Sequence, residues 1–278
     1  MARPMTSAEK QRFRGFFPNL DIDQATVTGE VSSAYNCISW TVGFTDRWLW
    51  PGRSVTNFDA FYLGFGFVRS GDGPIAAWGQ SISDMTHGCI SGPGHGPRWE
   101  SKCGGDLRIQ HGINELVGSS YGRALAFYRR SSLVDGAFAP ILEASMKEKT
   151  AKPILTVAQR RTLREQRSRV PAQVQAAFET ALKAWKETWF GGGLAISSDP
   201  HTRTVGKEFD ALVALGPEIL PLVIEALADP ENFFVLQLYD AIQPDPRLIV
   251  QYGPEDERIL AGEQGRARRA VQAWLTNR

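Results

Sequence analysis

Hydrophobic and polar positions follow two different patterns along the chain. Up to about residue 135, short apolar runs such as FDAFYLGFGFV, PIAAW and ALAFY alternate with breaks that contain glycine or proline, which is typical of short strands and turns. Beyond that point, apolar residues recur every three or four positions between Gly-Pro, Asp-Pro and Gln-Pro stops, as amphipathic helices require. The pattern predicts an α+β protein in which a part with short antiparallel strands precedes an α-helical part.

The helical part divides further at Val170-Pro171, where two helix-forming segments meet, because the residue before a proline disfavours helical geometry. The stretch GGGLAISSDPHTRT then forms a predicted loop. With the change of pattern near residue 135, this loop leads us to predict a first domain over 1–135, a helical connector over 136–190 and a helical region over 191–278. The apolar stripes of the helices predict a buried set made of Trp185, Trp189, Phe209, Leu212, Leu220, Leu222, Phe233, Leu236 and Trp274. The sequence leaves open whether these helices form a separate module or complete the core of the first domain.

Composition and charge narrow the setting. The chain has 278 residues, 42% of them hydrophobic, with 31 basic and 30 acidic groups, so it can bury a core and has no strong field to attract phosphate backbones. The opening stretch MARPMTSAEKQRFRGFFPNL lacks the apolar core of a secretory signal, and no apolar run reaches the roughly 18 residues of a membrane span. We expect a cytoplasmic protein with no nucleic-acid or membrane partner and no cofactor.

The stretch YNCISW contains the first candidate for chemistry, Cys37. The three cysteines of the chain have no CxxC spacing and are expected to be reduced. Cys37 follows Asn36 at a predicted helix start, where backbone N–H groups stabilise a thiolate and a developing oxyanion. The alternative is that Cys37 is only a small buried hydrophobic residue.

The candidate base is His87, in a predicted hairpin with arms MTHGCI and RWESKC around the turn SGPGHGP. A turn centred near Gly94 would place His87 opposite Ser101 and Cys89 opposite Trp99, with both pairs on one face. A register shift of two residues would keep this face, whereas a shift of one would present Glu100 and Lys102 instead. His95, within the turn, is expected to be solvated.

Ser101 is the group that we predict orients the His87 ring, by geometry alone. Asp106 and His111 are rivals, since a carboxylate or a second imidazole in the next segment could do the same. A zinc site of His87, Cys89 and Cys103 is a further alternative, but a fourth ligand is not obvious, and we predict no metal.

A cluster of tryptophans follows Cys37, at Trp40, Trp48 and Trp50. Large rings are most often part of a core. If part of the cluster is open beside Cys37, Trp40 would form an apolar wall for a substrate.

The segments NCISW, THG, RWESKCG, IQH and SYGRALAFYRR occur in this order and resemble an uncharacterised bacterial and fungal domain family with NCI-A-W, TH, W-T-S-K and I-x-H signatures, over about residues 30–130. The matching positions are Asn36, Cys37, Ile38, Trp40, Thr86, His87, Trp99, Ser101, Lys102, Ile109 and His111. The order of cysteine, histidine and polar residue is similar to that of papain-like thiol hydrolases, which implies a papain-like first domain. The chain departs from papain in having GEVSSAY ahead of Cys37 and no asparagine in the second hairpin arm.

The segment LGPEILPLVIEALADPENFFVLQLYDAIQ resembles a HEAT-like helical module, which implies contact with a protein partner.

These observations lead to three functional hypotheses. In the first, the protein is a thiol hydrolase or acyltransferase in which Cys37 attacks an amide carbonyl, His87 transfers the proton, and Ser101 or Asp106 orients His87. Asn36, Trp40 and His111 would then contact a protein or peptide substrate. The second hypothesis is an inactive papain-like interaction module, and the third is a zinc-binding domain.

Overall fold

A computed structural model describes residues 2–91, 98–132 and 155–277, so the turn that contains His95 and the predicted boundary at residue 135 lie outside the described residues. The described residues form eight strands. These are β1 (Arg3–Pro4), β2 (Thr26–Gly29), β3 (Phe67–Ser70), β4 (Ile75–Ser81), β5 (Asp84–Ile90), β6 (Trp99–Lys102), β7 (Arg108–His111) and β8 (Arg123–Arg130).

Nine α-helices accompany the strands within the same described ranges. They are α1 (Ser7–Phe16), α2 (Cys37–Thr41), α3 (Val55–Gly64), α4 (Val157–Arg167), α5 (Ala172–Thr188), α6 (Lys207–Val213), α7 (Leu220–Leu227), α8 (Val235–Ile242) and α9 (Gly262–Thr276). The break between α4 and α5 falls before Pro171, as the sequence predicts. Short 3₁₀ turns at Gly192–Ala195 and Pro200–Thr204 connect α5 to α6.

The strands form one antiparallel sheet in the order β1-β2-β7-β6-β5-β4-β8-β3. All strands precede α4, and the described chain beyond residue 155 is helical. This arrangement confirms the α+β prediction, with an antiparallel sheet followed by a helical region.

Each face of the sheet has its own apolar cluster. Helices α2 and α3 contribute to the cluster on one face, with Ile38, Phe58 and Tyr62 fully buried. Helix α1 contributes to the other, where Phe13 packs with residues of β4 and β7. Because successive side chains of a strand point to opposite faces, residues of β4 alternate between the clusters, with Ala76 and Trp78 in the α1 cluster and Ile75 and Ala77 in the other.

The helical region has a third cluster, which contains every residue of the buried set predicted above. This cluster also includes Trp48 from the sheet-containing part. In turn, Ile259 and Leu260 join the α2–α3 cluster, and Ile196 joins the α1 cluster. The helices therefore contribute to the cores of the first part, and the domain boundaries remain a prediction.

This shared packing predicts that Leu260→Ala, far along the chain from the sheet, destabilises the whole protein. The side chain is almost fully buried, so we expect the free energy of unfolding in urea to fall by about 2–5 kcal/mol in one cooperative transition. Leu63→Ala is the matched control, because Leu63 is 45% exposed and should cost less than about 1 kcal/mol. A chain truncated after Ser132 that still melts cooperatively would contradict a shared core.

Candidate active site

Cys37 is the first residue of α2, and the preceding Asn36 holds it in place. The Asn36 Oδ1 atom accepts the backbone N–H of Ser39 at 3.1 Å, which caps the helix. The Asn36 Nδ2 atom donates to the carbonyl of Leu49 at 2.7 Å. Since Asn36 is itself fully buried, these bonds fix the position of the cysteine beside the sheet.

The Cys37 thiol is buried and protonated in the resting chain. Its Sγ atom lies 3.0 Å from the Ser198 Oγ atom. Burial raises the pKa of the thiol to about 11, while hydrogen bonds from Ser198 and from the backbone of Gly88 and Ile38 act in the opposite direction. Because burial dominates, the thiol needs a nearby base before it can act as a nucleophile.

The thiol lies close to strand β5 of the sheet. The backbone of Gly88 in β5 is near enough to the sulfur to act against the effect of burial and lower the pKa of Cys37. Among the described residues, β5 and β6 pair at a single position, Ile90 opposite Glu100. The sulfur therefore reaches the sheet at the residue that directly follows His87.

The His87 ring lies over the face of the sheet that is opposite to α2. It stacks on the Tyr121 ring with centroids 3.9 Å apart and planes at 7°. On the other face, a Cβ atom at Gly88 would lie 3.2 Å from the Ile38 Cδ1 atom and 3.1 Å from the Tyr62 hydroxyl. The Cys37 thiol and the His87 ring therefore lie on opposite faces of the sheet, and no hydrogen bond joins them within the described chain.

A chain of hydrogen bonds joins His87, Ser101 and His111. The His87 Nε2 atom lies 2.8 Å from the Ser101 Oγ atom, which lies 2.8 Å from the His111 Nε2 atom. The His111 Nδ1 atom lies 2.7 Å from the carbonyl of Gly112. The predicted neighbourhood of His87 and Ser101 is confirmed, although Ile90 opposite Glu100 differs by two residues from the pairing expected for a turn at Gly94. The glycines at 92, 94 and 96 give the sequence no unique turn centre, and a shift of two preserves the face.

The carbonyl of Gly112, at one end of this chain of hydrogen bonds, determines which atoms carry the protons. A carbonyl oxygen only accepts, so the His111 Nδ1 atom donates to Gly112 and the His111 Nε2 atom accepts the Ser101 hydroxyl proton. The Ser101 oxygen then accepts the N–H of His87 Nε2. In the neutral ring this leaves His87 Nδ1 unprotonated. That atom is buried and has no hydrogen-bond partner within the described chain.

Both histidines are held in their neutral form. Burial lowers the pKa of His111 to about 4 and lowers the pKa of His87 well below its ordinary value, with a smaller effect from the neighbouring His111. The neutral state is the one in which the proton order derived above holds.

Lys102 is a buried cation near the thiol that sequence reasoning did not select as a site residue. Its Nζ atom donates to the carbonyls of Ser32, Gly104 and Asp106 at 2.9, 2.7 and 2.6 Å. Burial lowers its pKa to about 8, and its charge helps to lower the pKa of Cys37. The W-S-K signature, which contains Lys102, is the sequence feature that could have identified this residue.

Asp106, the rival for orienting His87, makes different contacts. Its two carboxylate oxygens accept from the Arg12 guanidinium at 2.8 and 2.9 Å, and one also accepts the N–H of Leu107. The structure therefore brings Ser101, not Asp106, to the His87 ring. A salt bridge to α1 satisfies Asp106 instead.

Trp40 is half buried on the α2 face of the sheet. The Arg108 guanidinium lies over its ring, with the Cζ atom 3.8 Å from the ring centroid. The other two tryptophans of the cluster, Trp48 and Trp50, are buried. Ser198 and Trp48 lie on the side of the site that contains the Cys37 thiol. No pattern in the sequence predicts that these two residues are near Cys37.

The zinc hypothesis lacks a ligand set. Cys89 accepts a hydrogen bond from the Trp78 Nε1 atom at 3.2 Å, and Cys103 is fully buried. Across residues 2–91, 98–132 and 155–277, no group of three or more His, Cys, Asp or Glu side chains is arranged to hold a metal ion.

Residues 26–129 match the model of a protein family described as a domain of unknown function (DUF7689). This match covers β2 to β7 and most of β8, with Cys37, His87, Ser101 and His111. Neither the curated proteins nor the solved structures include a match to the chain. Among the described helices, none is both long enough and apolar enough to cross a membrane.

The buried neutral histidines predict a loss of stability in acid. Between pH 6.5 and about 4, His111 binds a proton in the unfolded chain but stays neutral in the folded chain. The free energy of unfolding therefore falls by up to about 1.4 kcal/mol for each unit by which the pH is lowered, for each such histidine. We expect His111→Gln to unfold with a shallower pH dependence than the wild type when urea midpoints are compared from pH 7 to pH 4.5. His201→Gln is the control, because Asp199 raises the pKa of His201. Equal slopes for wild type and His111→Gln would contradict the assignment.

Proposed function

We propose that this chain is a cysteine-dependent hydrolase or acyltransferase that acts on an amide bond, with a papain-like first domain. Cys37 is the nucleophile and His87 is the general base. The observation that supports this most strongly is the free, unprotonated Nδ1 atom of His87, whose other ring nitrogen is held by Ser101.

A buried nitrogen without a partner is costly, by about 1–3 kcal/mol. Such a cost is expected where the atom takes part in chemistry. A base with one nitrogen free and the other fixed by a third group is also the arrangement that activates a cysteine or serine nucleophile.

In the first half of the proposed reaction, one proton moves from Cys37 to His87 and then from His87 to the leaving amine. The Cys37 thiol and the His87 ring, which lie on opposite faces of the sheet, must first come within hydrogen-bond reach of each other. The thiol then gives its proton to His87 Nδ1 as the sulfur bonds to the acyl carbon, which places a negative charge on the carbonyl oxygen. Collapse of this intermediate breaks the C–N bond, and the leaving amine takes the proton from His87. Water or an amine then attacks the thioester, releases the acyl product and returns the proton to the thiol.

The pKa values set the timing of the first step. Burial raises the pKa of Cys37 to about 11 and lowers that of His87, so a resting thiolate–imidazolium pair is unfavourable. Proton transfer must therefore accompany attack or follow the admission of water to the site.

A second candidate, the inactive interaction module, is supported by the complete burial of both Cys37 and His87. In that case the HEAT-like helical region would contact a protein partner and the buried polar chain would serve only the fold. The two candidates differ in the reactivity of one thiol.

Acyl-directed thiol probes followed by peptide mapping separate the candidates. We expect labelling at Cys37 that disappears in Cys37→Ala and falls by about 10²- to 10⁴-fold in His87→Gln, because the base is lost. In turnover of a substrate, Cys37→Ala and His87→Ala should each abolish activity, and the double variant should be no worse than either single one, since the two residues act as one unit. Cys89→Ala, the matched control, should leave the labelling of Cys37 intact. Labelling of Cys37 at the same rate in His87→Gln would favour the inactive module.

The orienting group is tested by a second pair of variants. Ser101→Ala removes the acceptor that keeps the proton on His87 Nε2, so we expect the Cys37 labelling rate to fall about tenfold or more. Asp106→Asn breaks the salt bridge to Arg12 and should lower stability while leaving the labelling rate of the folded protein unchanged. A larger loss of labelling in Asp106→Asn than in Ser101→Ala would reverse the assignment.

A further inference from the structure

The segment of residues 195–199, between α5 and α6, lies against the sheet-containing part like a bound peptide. The N–H of Gly105 donates to the carbonyl of Ala195 at 2.8 Å, and the Tyr121 hydroxyl donates to the carbonyl of Ile196 at 2.9 Å. At Gly104, where φ is +51°, a Cβ atom would lie 2.5 Å from the backbone of Ile196. The first part thus binds the main chain of this segment at close range.

Ser198 is the residue of the segment that meets the thiol. Its carbonyl oxygen accepts from the Trp48 Nε1 atom at 2.7 Å and from the Asn36 Nδ2 atom at 3.5 Å. Its Oγ atom lies 3.0 Å from the Cys37 sulfur. The Trp48 donor lies at the distance of a group that stabilises an oxyanion, whereas the Asn36 amide, which bonds the Leu49 carbonyl at 2.7 Å, is at the outer limit of a hydrogen bond.

The opposite side of the segment is held by Arg203, which is almost fully buried. Its guanidinium donates to the carbonyls of Leu194, Ser197 and Asp199 at 2.8, 2.9 and 2.8 Å. The carbonyls of Ala195, Ile196 and Ser198 are bound by the first part. The segment is therefore held in a fixed shape from within the helical region while it presents three carbonyls to the site.

We infer that residues 195–199 occupy the acyl-substrate cleft as a tethered pseudosubstrate, and that the carbonyl pocket made by Trp48 and Asn36 binds the carbonyl oxygen of a peptide bond in the true substrate. This inference rests on the proposed function and extends it. It assigns peptides as the substrate class, Trp48 as an oxyanion donor and the helical region as the part that closes the site.

Detachment of the segment would expose Cys37 without unfolding the sheet. Cys89, which is buried in the α1 cluster and accepts a hydrogen bond from the Trp78 Nε1 atom, would stay protected. In the intact protein, iodoacetamide labelling followed by mass spectrometry at increasing urea should therefore show a shallow urea dependence for Cys37 and a steep one for Cys89.

Two tyrosine variants give a matched comparison. Tyr121→Phe removes the hydroxyl that holds Ile196, so labelling of Cys37 should rise roughly tenfold relative to that of Cys89. Tyr128→Phe removes a hydroxyl bound to Asp59 and should leave this ratio unchanged.

The carbonyl pocket is tested with a peptide aldehyde that has the sequence of residues 195–198, acetyl-Ala-Ile-Ser-Ser-aldehyde. The Cys37 sulfur adds to the aldehyde carbon and the oxygen takes up the thiol proton, so the aldehyde should slow iodoacetamide labelling in Tyr121→Phe. Adding Trp48→Phe removes a donor to that oxygen and should weaken the protection about 10²-fold. Protection that is equal with and without Trp48→Phe would overturn the pocket.

Labelling of Cys37 and Cys89 with the same steep urea dependence would overturn the pseudosubstrate, because residues 195–199 would then separate only on global unfolding. Failure of the proposed function is visible separately. If His87 is not the base, His87→Gln would not change the labelling of Cys37. The difference in urea dependence between the Cys37 and Cys89 labelling would remain.

Discussion

The close packing of α2 against β5 at Gly88 is the constraint on which the site depends. Because position 88 has no Cβ atom, Ile38 and Tyr62 approach the strand to within contact distance of its backbone. That approach brings the Cys37 thiol close to the backbone of Gly88 in β5. A larger residue at 88 would push α2 outward and separate the sulfur from the strand that carries His87.

Strand alternation explains why part of the site could be predicted. His87 and Ser101 lie on the same face for any even register shift, so their contact survives an error of two residues in the expected turn. The buried set of the helical region could also be predicted, because helical periodicity specifies a face regardless of what packs against it. Both predictions depend on local periodicity, which the sequence carries directly.

Other parts of the site depend on contacts between distant segments, which local patterns do not encode. Ser198 contacts Cys37 although the two residues are 161 positions apart in the chain. Trp48 packs in the apolar cluster of the helical region and also donates a hydrogen bond to the Ser198 carbonyl. Asp106 was a reasonable rival for His87 because of its charge, but the Arg12 side chain of α1 binds its carboxylate in the fold. Only the packing of α1 against the sheet determines that choice.

Burial links the protonation state of the site to the segment that covers it. With the segment in place, the Cys37 thiol and the His87 ring are both neutral, since burial raises the pKa of the first and lowers the pKa of the second. Admission of water would weaken both effects, because each arises mainly from desolvation. A movement of residues 195–199 would then expose the thiol and bring its pKa closer to the ordinary value, which reduces the cost of removing its proton. Access and reactivity would therefore change together, and the closed chain would protect the thiol from reaction with any reagent that cannot displace Ser198.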